Sequence, residues 1–504
     1  MNRAMSRDSH NSMIKFGELH LANKKTNNKH MKKIFILILL ITSTVAFTQQ
    51  SNTMYFMQKN PQSHLLNPAI QDNCKFTIGG LPVNATPVLG QVFLPFYLNI
   101  NITNFNYNTI IHKGEGKYSD SLVVDIPKLI NKLSKNNYIN FETHLNILSL
   151  GYKLKKFYFT IGLTEKFDFK FNFSRDLLQL PWYGNGHPAN IGRSMEMTIG
   201  LNAVHYRELA LGTSWEKTDK LTFGAKVKIL FGMMNIKTYG KGNQLITDNV
   251  FFGFNAKTDT KISGSLPSVN FQYNDTTGEI DTVITEDFDG KKYLLNFKNP
   301  GLGLDLGAIY KYTDKITFSA SLIDLGFIRW KDHTFNATDN GEFYYKGMDV
   351  TPMINPNDST DVPQLLLDSL ENIFKITGSN KYYSSYLTPK LYLGGSYQLN
   401  EKLGFGALAR IERYPKLFHT SFTLSANYVP IKWFSLSGSY SFQNDKYYDV
   451  GLGFALKFGP YRMFLVNDNV SGMIFPQKTR NLNWRTGLYI GIGCNKEKKN
   501  VVKL

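Results

Sequence analysis

The chain has 504 residues, of which only 19% are charged, while tyrosine, phenylalanine and glycine are abundant at 28, 37 and 40 copies. This enrichment favours strands and tight hairpins over helices, and it is typical of membrane β-barrels with aromatic girdles. The net charge is +18, of which residues 1–48 contribute +6, and no basic stripe follows a predicted helix. The sequence therefore gives no indication of nucleic-acid binding.

The first readable element is a targeting segment. Met31-Lys32-Lys33 precedes the apolar run Ile34–Ile41, and the small residues of Thr44–Thr48 follow it. This order predicts a signal peptide at residues 31–48, because the apolar run is shorter than the roughly 20 residues that a membrane-spanning helix needs. Residues 1–30 are polar and precede this start, so we expect them to be a non-native upstream extension.

Long stretches of alternating apolar and polar residues follow. They include Leu221–Phe231, Leu302–Tyr310, Phe418–Tyr428, Phe434–Phe442 and Tyr448–Phe458. Period-2 alternation predicts strands with two different faces. Several of these runs approach or exceed ten residues, which suits a tilted strand that crosses an outer membrane and is long for a soluble sandwich. The sequence predicts an all-β, transmembrane antiparallel β-barrel of about 14 strands.

Short polar turns join many of these strands, and longer connections separate others. Turns such as 218–220, 313–315 and 400–402 are rich in Asn, Asp and Lys, which close hairpins readily. Longer connections at 108–138, 174–193, 272–292 and 346–384 are predicted to be extracellular loops or segments folded into the lumen. Two of them carry short helix signals, at Ile126–Leu133 and Pro363–Phe374.

No motif in the chain predicts catalysis, a cofactor or a metal. Asp287-Phe288-Asp289-Gly290 has the start of a calcium loop but lacks the remaining ligands, so solvated loop carboxylates are expected. No histidine pair has metal-ligand spacing, and no nucleophile and base stand out together. The two cysteines, Cys74 and Cys494, could pair in an oxidising compartment, but spacing alone cannot bring them together, and two unpaired thiols are the default expectation.

Charged residues inside apolar strands are the best site candidates. The set comprises Arg207, Glu208, Arg410, Glu412 and Arg413. Charge on the lipid face near the midplane costs about 2–4 kcal/mol, so such residues are predicted to face the lumen or lie near a rim. Arg410 and Glu412 share a face and are expected to pair, whereas Arg207 and Glu208 do not share one. A luminal ion-pair network is the first interpretation, and a substrate site is the alternative.

Three segments carry a family resemblance: "LNPA" at residues 66–69, "HYRELALG" at 205–212 and "DKLTFGAKVKILFG" at 219–232. The chain resembles an uncharacterised Bacteroidetes outer-membrane family that is similar in architecture to long-chain fatty-acid transporter barrels and to type IX secretion-associated barrels. The resemblance implies a plug-like segment at residues 49–98 with Asn67, Pro68 and Ala69 as its motif, a barrel at 99–495, and no established chemistry. The basic tail at 496–504 departs from barrels that end on an aromatic strand.

Two functions remain open on this basis, both in the cell outer membrane. The first is a transport or channel protein for small or hydrophobic ligands, whose lumen is gated by plug segments. The second is a non-transporting surface or secretion-associated barrel that acts as a platform for a secretion-system partner. Both imply contact with outer-membrane lipid and the barrel-assembly machinery, and neither requires a cofactor.

Overall fold

The structure is a computed structural model. It describes residues 52–57, 60–80, 96–102, 105–114, 116, 119–240, 243–250, 252–274, 276–345, 377–413, 418–443 and 448–494. The predicted signal peptide, the predicted helix Pro363–Phe374 and the basic tail lie outside these residues. None of the described helices is long and apolar enough to cross a bilayer.

Most of the described chain is in strands. In chain order they are β1 Cys74–Gly79, β2 Phe96–Ile102, β3 Ile111–Lys113, β4 Leu122–Val124, β5 Asn136–Leu154, β6 Phe157–Ser174, β7 Ser194–Glu196, β8 Ile199–Glu216, β9 Leu221–Gly240, β10 Gln244–Thr247, β11 Phe254–Ser265, β12 Val269–Tyr273, β13 Ile280–Thr285, β14 Pro300–Lys311, β15 Ile316–Trp330, β16 Thr334–Tyr345, β17 Thr377–Ser379, β18 Tyr383–Tyr386, β19 Lys390–Gln398, β20 Leu403–Arg413, β21 Phe418–Ile431, β22 Phe434–Gln443, β23 Tyr448–Phe458, β24 Tyr461–Asn467 and β25 Asn481–Cys494.

The described helices are short. The α-helices are α1 Asn52–Tyr55, α2 Tyr107–Ile110, α3 Ile126–Lys132, α4 Asp176–Tyr183, α5 Gly290–Leu294 and α6 Val470–Ile474, and 3₁₀ turns cover Pro61–Leu65 and Pro476–Lys478. The helix expected at Ile126–Leu133 is present as α3, with Asp125 as its N-cap. Asp289 of the calcium-like sequence caps α5, where its carboxylate accepts hydrogen bonds from two backbone amides.

The strands close into a ring, which confirms the predicted barrel of 14 strands. Around the ring β5 pairs with β6, then β8, β9, β14, β15, β19 and so on to β25, each neighbour antiparallel. β25 then pairs with β1 and β2, which both pair with β5 on their other side. β1 and β2 therefore occupy one strand position between them, and this position closes the ring.

The two faces of the barrel wall have opposite character. Outward positions carry exposed apolar side chains, such as Leu302, Leu304 and Leu306 on β14, and inward positions such as Asp305 are buried. Exposed aromatic residues lie beside the short turns, among them Trp215, Phe223, Tyr312, Trp433 and Phe458. An apolar outer belt bordered by aromatic rings is the surface that a membrane-spanning barrel presents to lipid.

Two expectations about the chain ends of the barrel are wrong. The wall begins at Cys74 rather than Asn99, because β1 pairs with both β5 and β25 within the predicted 49–98 segment. The expectation of unpaired thiols fails because Cys74 and Cys494 are cross-strand neighbours and form a disulfide. This bond joins the first and last strands of the barrel.

Candidate functional site

The N-terminal segment, defined here as the described part of residues 52–72, lies in the lumen. Thr53 bonds to Ser439 of β22 at 2.6 Å, while the Tyr55 hydroxyl donates to Ser319 of β15 at 3.1 Å. Lys226 of β9 donates to the His64 carbonyl at 2.6 Å from another part of the ring. A segment that touches the inward residues of strands so far apart must lie inside the ring.

The Asn67-Pro68-Ala69 stretch rests on two glycines of neighbouring strands. Gly224 on β9 and Gly307 on β14 are cross-strand partners, and both face inward. A Cβ at Gly224 would overlap the Pro68 carbonyl group, and one at Gly307 would lie 2.9 Å from the Pro68 ring. The absence of side chains at these positions is thus what allows the segment's backbone to approach the wall.

Apolar packing holds the first turn of the segment. Met54, Tyr55, Phe56 and Met57 are buried against wall residues that include Tyr392, Leu408 and Phe464. Tyr55 stacks on Tyr392 with a centroid separation of 5.6 Å. Burial, assisted by nearby Lys226, lowers the pKa of His64 to about 3, so its imidazole stays neutral at physiological pH.

A charge network covers one side of the lumen. Lys228 contacts Asp305 at 2.6 Å and Asp324 at 2.7 Å. Lys166 lies 2.7 Å from Glu208 and 3.4 Å from Asp324, and Lys390 lies 3.6 Å from Asp324. The Lys390 side chain is 12% exposed and the other five residues are buried, so each charge depends on its partners for stabilisation.

A β-bulge creates the centre of this network. The β14–β15 register shifts between Leu304 and Leu306, so that Ile323 and Asp324 together oppose Asp305. Asp324 adopts a φ of 60°, in the left-handed region, and both Ile323 and Asp324 are buried. The bulge turns two consecutive residues inward, which simple alternation cannot predict.

The predicted pair Arg410 and Glu412 lies in the lumen and forms an ion pair. Lys170 lies 3.4 Å from Glu412 and 4.0 Å from Glu142. Arg410 also lies over the ring of Tyr392, 5.8 Å from its centroid. Lys170 and Glu142 were not among the predicted residues, although the alternation of Lys166, Asp168 and Lys170 with phenylalanines could have revealed the β6 pair of lysines.

The predicted cluster does not stay together. Glu208 faces the lumen, but Arg207 faces outward, where it pairs with Glu165. His205 lies 3.4 Å from the same carboxylate and contacts the hydroxyl of Tyr293 on α5. Arg413 is exposed and faces away from Glu412. The prediction of a single luminal cluster is therefore wrong for Arg207 and Arg413, because consecutive strand residues point to opposite faces.

A cavity lies between the N-terminal segment and the charge network. Its volume, measured for a sphere the size of a water molecule, is about 70 Å³. Gln62, Leu65 and Leu66 of the segment border it, and the wall supplies both aromatic and charged residues. The charged lining residues are Lys166, Lys226, Lys228, Lys390, Arg410, Arg485, Glu208, Asp305 and Asp324.

Asp468 anchors the tip of the N-terminal segment. It follows the short strand β24, is almost completely buried, and accepts a hydrogen bond of 2.7 Å from the Thr53 amide and another from the Thr53 hydroxyl. Burial outweighs these bonds and raises the pKa of Asp468 to about 7. A carboxyl group that holds the segment therefore titrates near physiological pH.

A family of unknown function, DUF5723, matches residues 68–468. No curated protein matches the sequence. Solved structures with low similarity include a Pseudomonas aeruginosa FadL homologue, which is 11% identical with a TM-score of 0.40 over 88% of this chain and 97% of that one. The P. putida toluene transporter TodX is 11% identical with a TM-score of 0.35, covering 86% and 95%.

Proposed function

The chain belongs to the DUF5723 family, and we propose that it is an outer-membrane barrel that passes small solutes through a lumen gated by its N-terminal segment. The observation that carries this proposal is the position of that segment, which lies inside the ring and borders an internal cavity. With the segment docked, the cavity offers only about 70 Å³ to a water-sized sphere, so passage of a solute requires the segment to move. The apolar outer belt supports a location in lipid.

The contacts that hold the segment are reversible, as a gate requires. They are all non-covalent: an apolar cluster, an ion pair of Asp72 with Arg462, hydrogen bonds to wall hydroxyls, to Asp468 and from Lys226, and close approach to two glycines on β9 and β14. No disulfide ties the described residues of the segment to the wall, since the described cystine joins Cys74 to Cys494. Release of the segment would leave the strand ladders of the wall intact.

A locking experiment tests the gate. Thr53 and Ser439 have hydroxyl oxygens 2.6 Å apart, so the double variant Thr53→Cys/Ser439→Cys can tie the segment to β22. We expect arabinose-driven swelling of liposomes with the wild-type barrel, little swelling with the cross-linked variant, and recovery after mild reduction. The single variant Ser439→Cys, treated with the same reductant, controls for reduction of the native disulfide.

The opposite results would favour the platform function. If neither the wild type nor a variant lacking residues 52–70 conducts arabinose or gives channel currents in KCl, the transport proposal fails. Recovery of a stable partner by crosslinking in the outer membrane would then support a non-transporting barrel.

A further inference from the structure

An apolar groove crosses the lipid-facing surface of the wall. Its floor consists of small outward-facing residues on neighbouring strands, namely Thr213 on β8, Ala225 on β9, Ala308 on β14 and Ala320 on β15. These residues are direct or diagonal cross-strand neighbours. The groove has a volume of about 650 Å³, measured for a sphere the size of a water molecule, and among the described residues it shares no lining residue with the luminal cavity.

Larger side chains border the floor on both sides. Phe157, Trp215 and Phe223 lie on the side of the short turns, and Leu306, Leu322 and Leu391 lie on the other side. The groove follows the hydrogen-bonding direction from strand to strand, because Phe157, Trp215, Phe223, Ala308 and Ala320 are successive cross-strand partners. Phe157 is the first residue of β6 after its short turn, whereas Ala320 is the fifth residue of β15. The groove therefore rises from the short-turn rim towards the middle of the membrane.

The rise of the groove matches the thickness of one lipid leaflet. From β6 to β19 the groove crosses five interstrand spacings of about 4.8 Å each, and a strand tilt of about 40° turns this path into a rise of roughly 15 Å along the membrane normal. The hydrocarbon core is about 30 Å thick, so each leaflet contributes about 15 Å. Short turns of outer-membrane barrels lie on the periplasmic side, which places the groove in the periplasmic leaflet.

Lysines are concentrated where the groove meets the short turns. The three turns beside it, residues 155–156, 217–220 and 311–315, carry six lysines but only two carboxylates, Asp219 and Asp314, and all eight residues are exposed. Lys217 follows Trp215 by two residues, and Lys220 precedes Phe223 by three. Lysine side chains extend their ammonium groups to the membrane interface, where an excess of positive charge attracts anionic headgroups.

We propose that this groove binds an anionic phospholipid of the periplasmic leaflet, with one acyl chain along the groove and the headgroup phosphate at the lysines of the adjoining turns. The groove is continuous with the apolar belt that faces lipid, and the turns carry charge opposite to that of the headgroup. The inference requires the barrel to lie in a lipid bilayer, but it does not depend on the transport of a solute.

Native mass spectrometry of the barrel in a neutral detergent tests this site, with dioleoyl phosphatidylglycerol and dioleoyl phosphatidylcholine as the two probes. We expect the first phosphatidylglycerol molecule to bind at least about tenfold more tightly than phosphatidylcholine. Ala225→Leu/Ala308→Leu fills the floor and should weaken the binding of both lipids, while its outward-facing side chains leave the strand pairing intact. Lys217→Gln/Lys220→Gln should reduce the preference for phosphatidylglycerol about tenfold without weakening phosphatidylcholine.

Two matched controls separate the groove from the rest of the lipid-facing surface. Ala407→Leu/Ala426→Leu adds the same volume at diagonal outward positions on β20 and β21, and Lys402→Gln/Lys432→Gln removes two charges from other short turns. Equal affinity of the wild type for the two lipids, or equal weakening by the control variants, overturns the proposal.

A dimer in place of the lipid complex is the other informative outcome. If that dimer is lost in Ala225→Leu/Ala308→Leu, the groove belongs to a second copy of the chain, and the phospholipid assignment is wrong. Arabinose swelling of the same variants keeps this proposal apart from the transport proposal. Swelling that persists without a lipid preference leaves the gated barrel standing, whereas absence of swelling with an intact lipid preference refutes transport alone.

Discussion

A side chain at Gly224, one of the two inward-facing glycines beneath Asn67-Pro68-Ala69, should release the N-terminal segment. Gly224→Val places a β-branched side chain where Pro68 and Ala69 now contact the wall, at separations below 3.0 Å that only a backbone shift can relieve. Overpacking and the loss of hydrogen bonds from the Asn67 side chain together cost about 3 kcal/mol. That free energy lowers the docked-to-released ratio about a hundredfold.

The release can be followed by labelling a cysteine placed at Met54, which is fully buried in the docked segment. With Met54→Cys as the background, Gly224→Val should increase the labelling rate by a membrane-impermeant maleimide by about a hundredfold, if the docked thiol is inaccessible. The matched control is Gly438→Val, because a Cβ at Gly438 has nothing within 4 Å. Unchanged labelling in Gly224→Val, or equal acceleration in Gly438→Val, would refute the inference that the missing side chain at Gly224 allows the segment to dock.

Three further outcomes follow from the charges and the disulfide. Lys228→Met should lower the free energy of unfolding in urea by about 3–5 kcal/mol, since it removes the cation that pairs with the buried Asp305 and one of those that pair with Asp324. Lys457→Met at an exposed position should change that free energy little. Docking of the N-terminal segment should weaken as pH rises from about 4 to about 7, because the pKa of Asp468 is raised in the docked state, and Asp468→Asn should remove that dependence of Met54→Cys labelling. Cys494→Ser should lower the temperature at which the folded band is lost in gel electrophoresis, by an amount that corresponds to at least about 2 kcal/mol.

The alternation of apolar and polar residues allowed the barrel strands to be predicted from the sequence. A barrel strand has one face in lipid and one in the lumen, so its apolar and polar residues separate with a period of two, and enough strands show this to indicate both the fold and the count. The same alternation placed Arg410 and Glu412 on one face and Arg207 and Glu208 on opposite faces. It did not show which face of β8 looks inward, because both faces of that strand carry charge.

Long-range geometry accounts for what the sequence did not show. Asp324 joins the network only because a bulge turns it inward, and a bulge leaves no clear signature in a run of apolar residues. The pairing of Cys74 with Cys494 depends on closure of the entire ring, across a sequence separation of 420 residues. The surface that Pro68 contacts is formed by two glycines, which become neighbours only when β9 and β14 pair.

The Cys74–Cys494 disulfide also lies at one end of the N-terminal segment. Arg462 of β24 binds Asp72 at 2.7 Å and contacts both cystine sulfurs, so the segment is anchored immediately before the wall begins. If released, about 20 residues would form a flexible tether from this point, with a reach of roughly 70 Å. Such a tether keeps the released end at an effective concentration in the millimolar range. The same segment would close the barrel again in an intramolecular step whose rate does not depend on protein concentration, and no second protein would be needed.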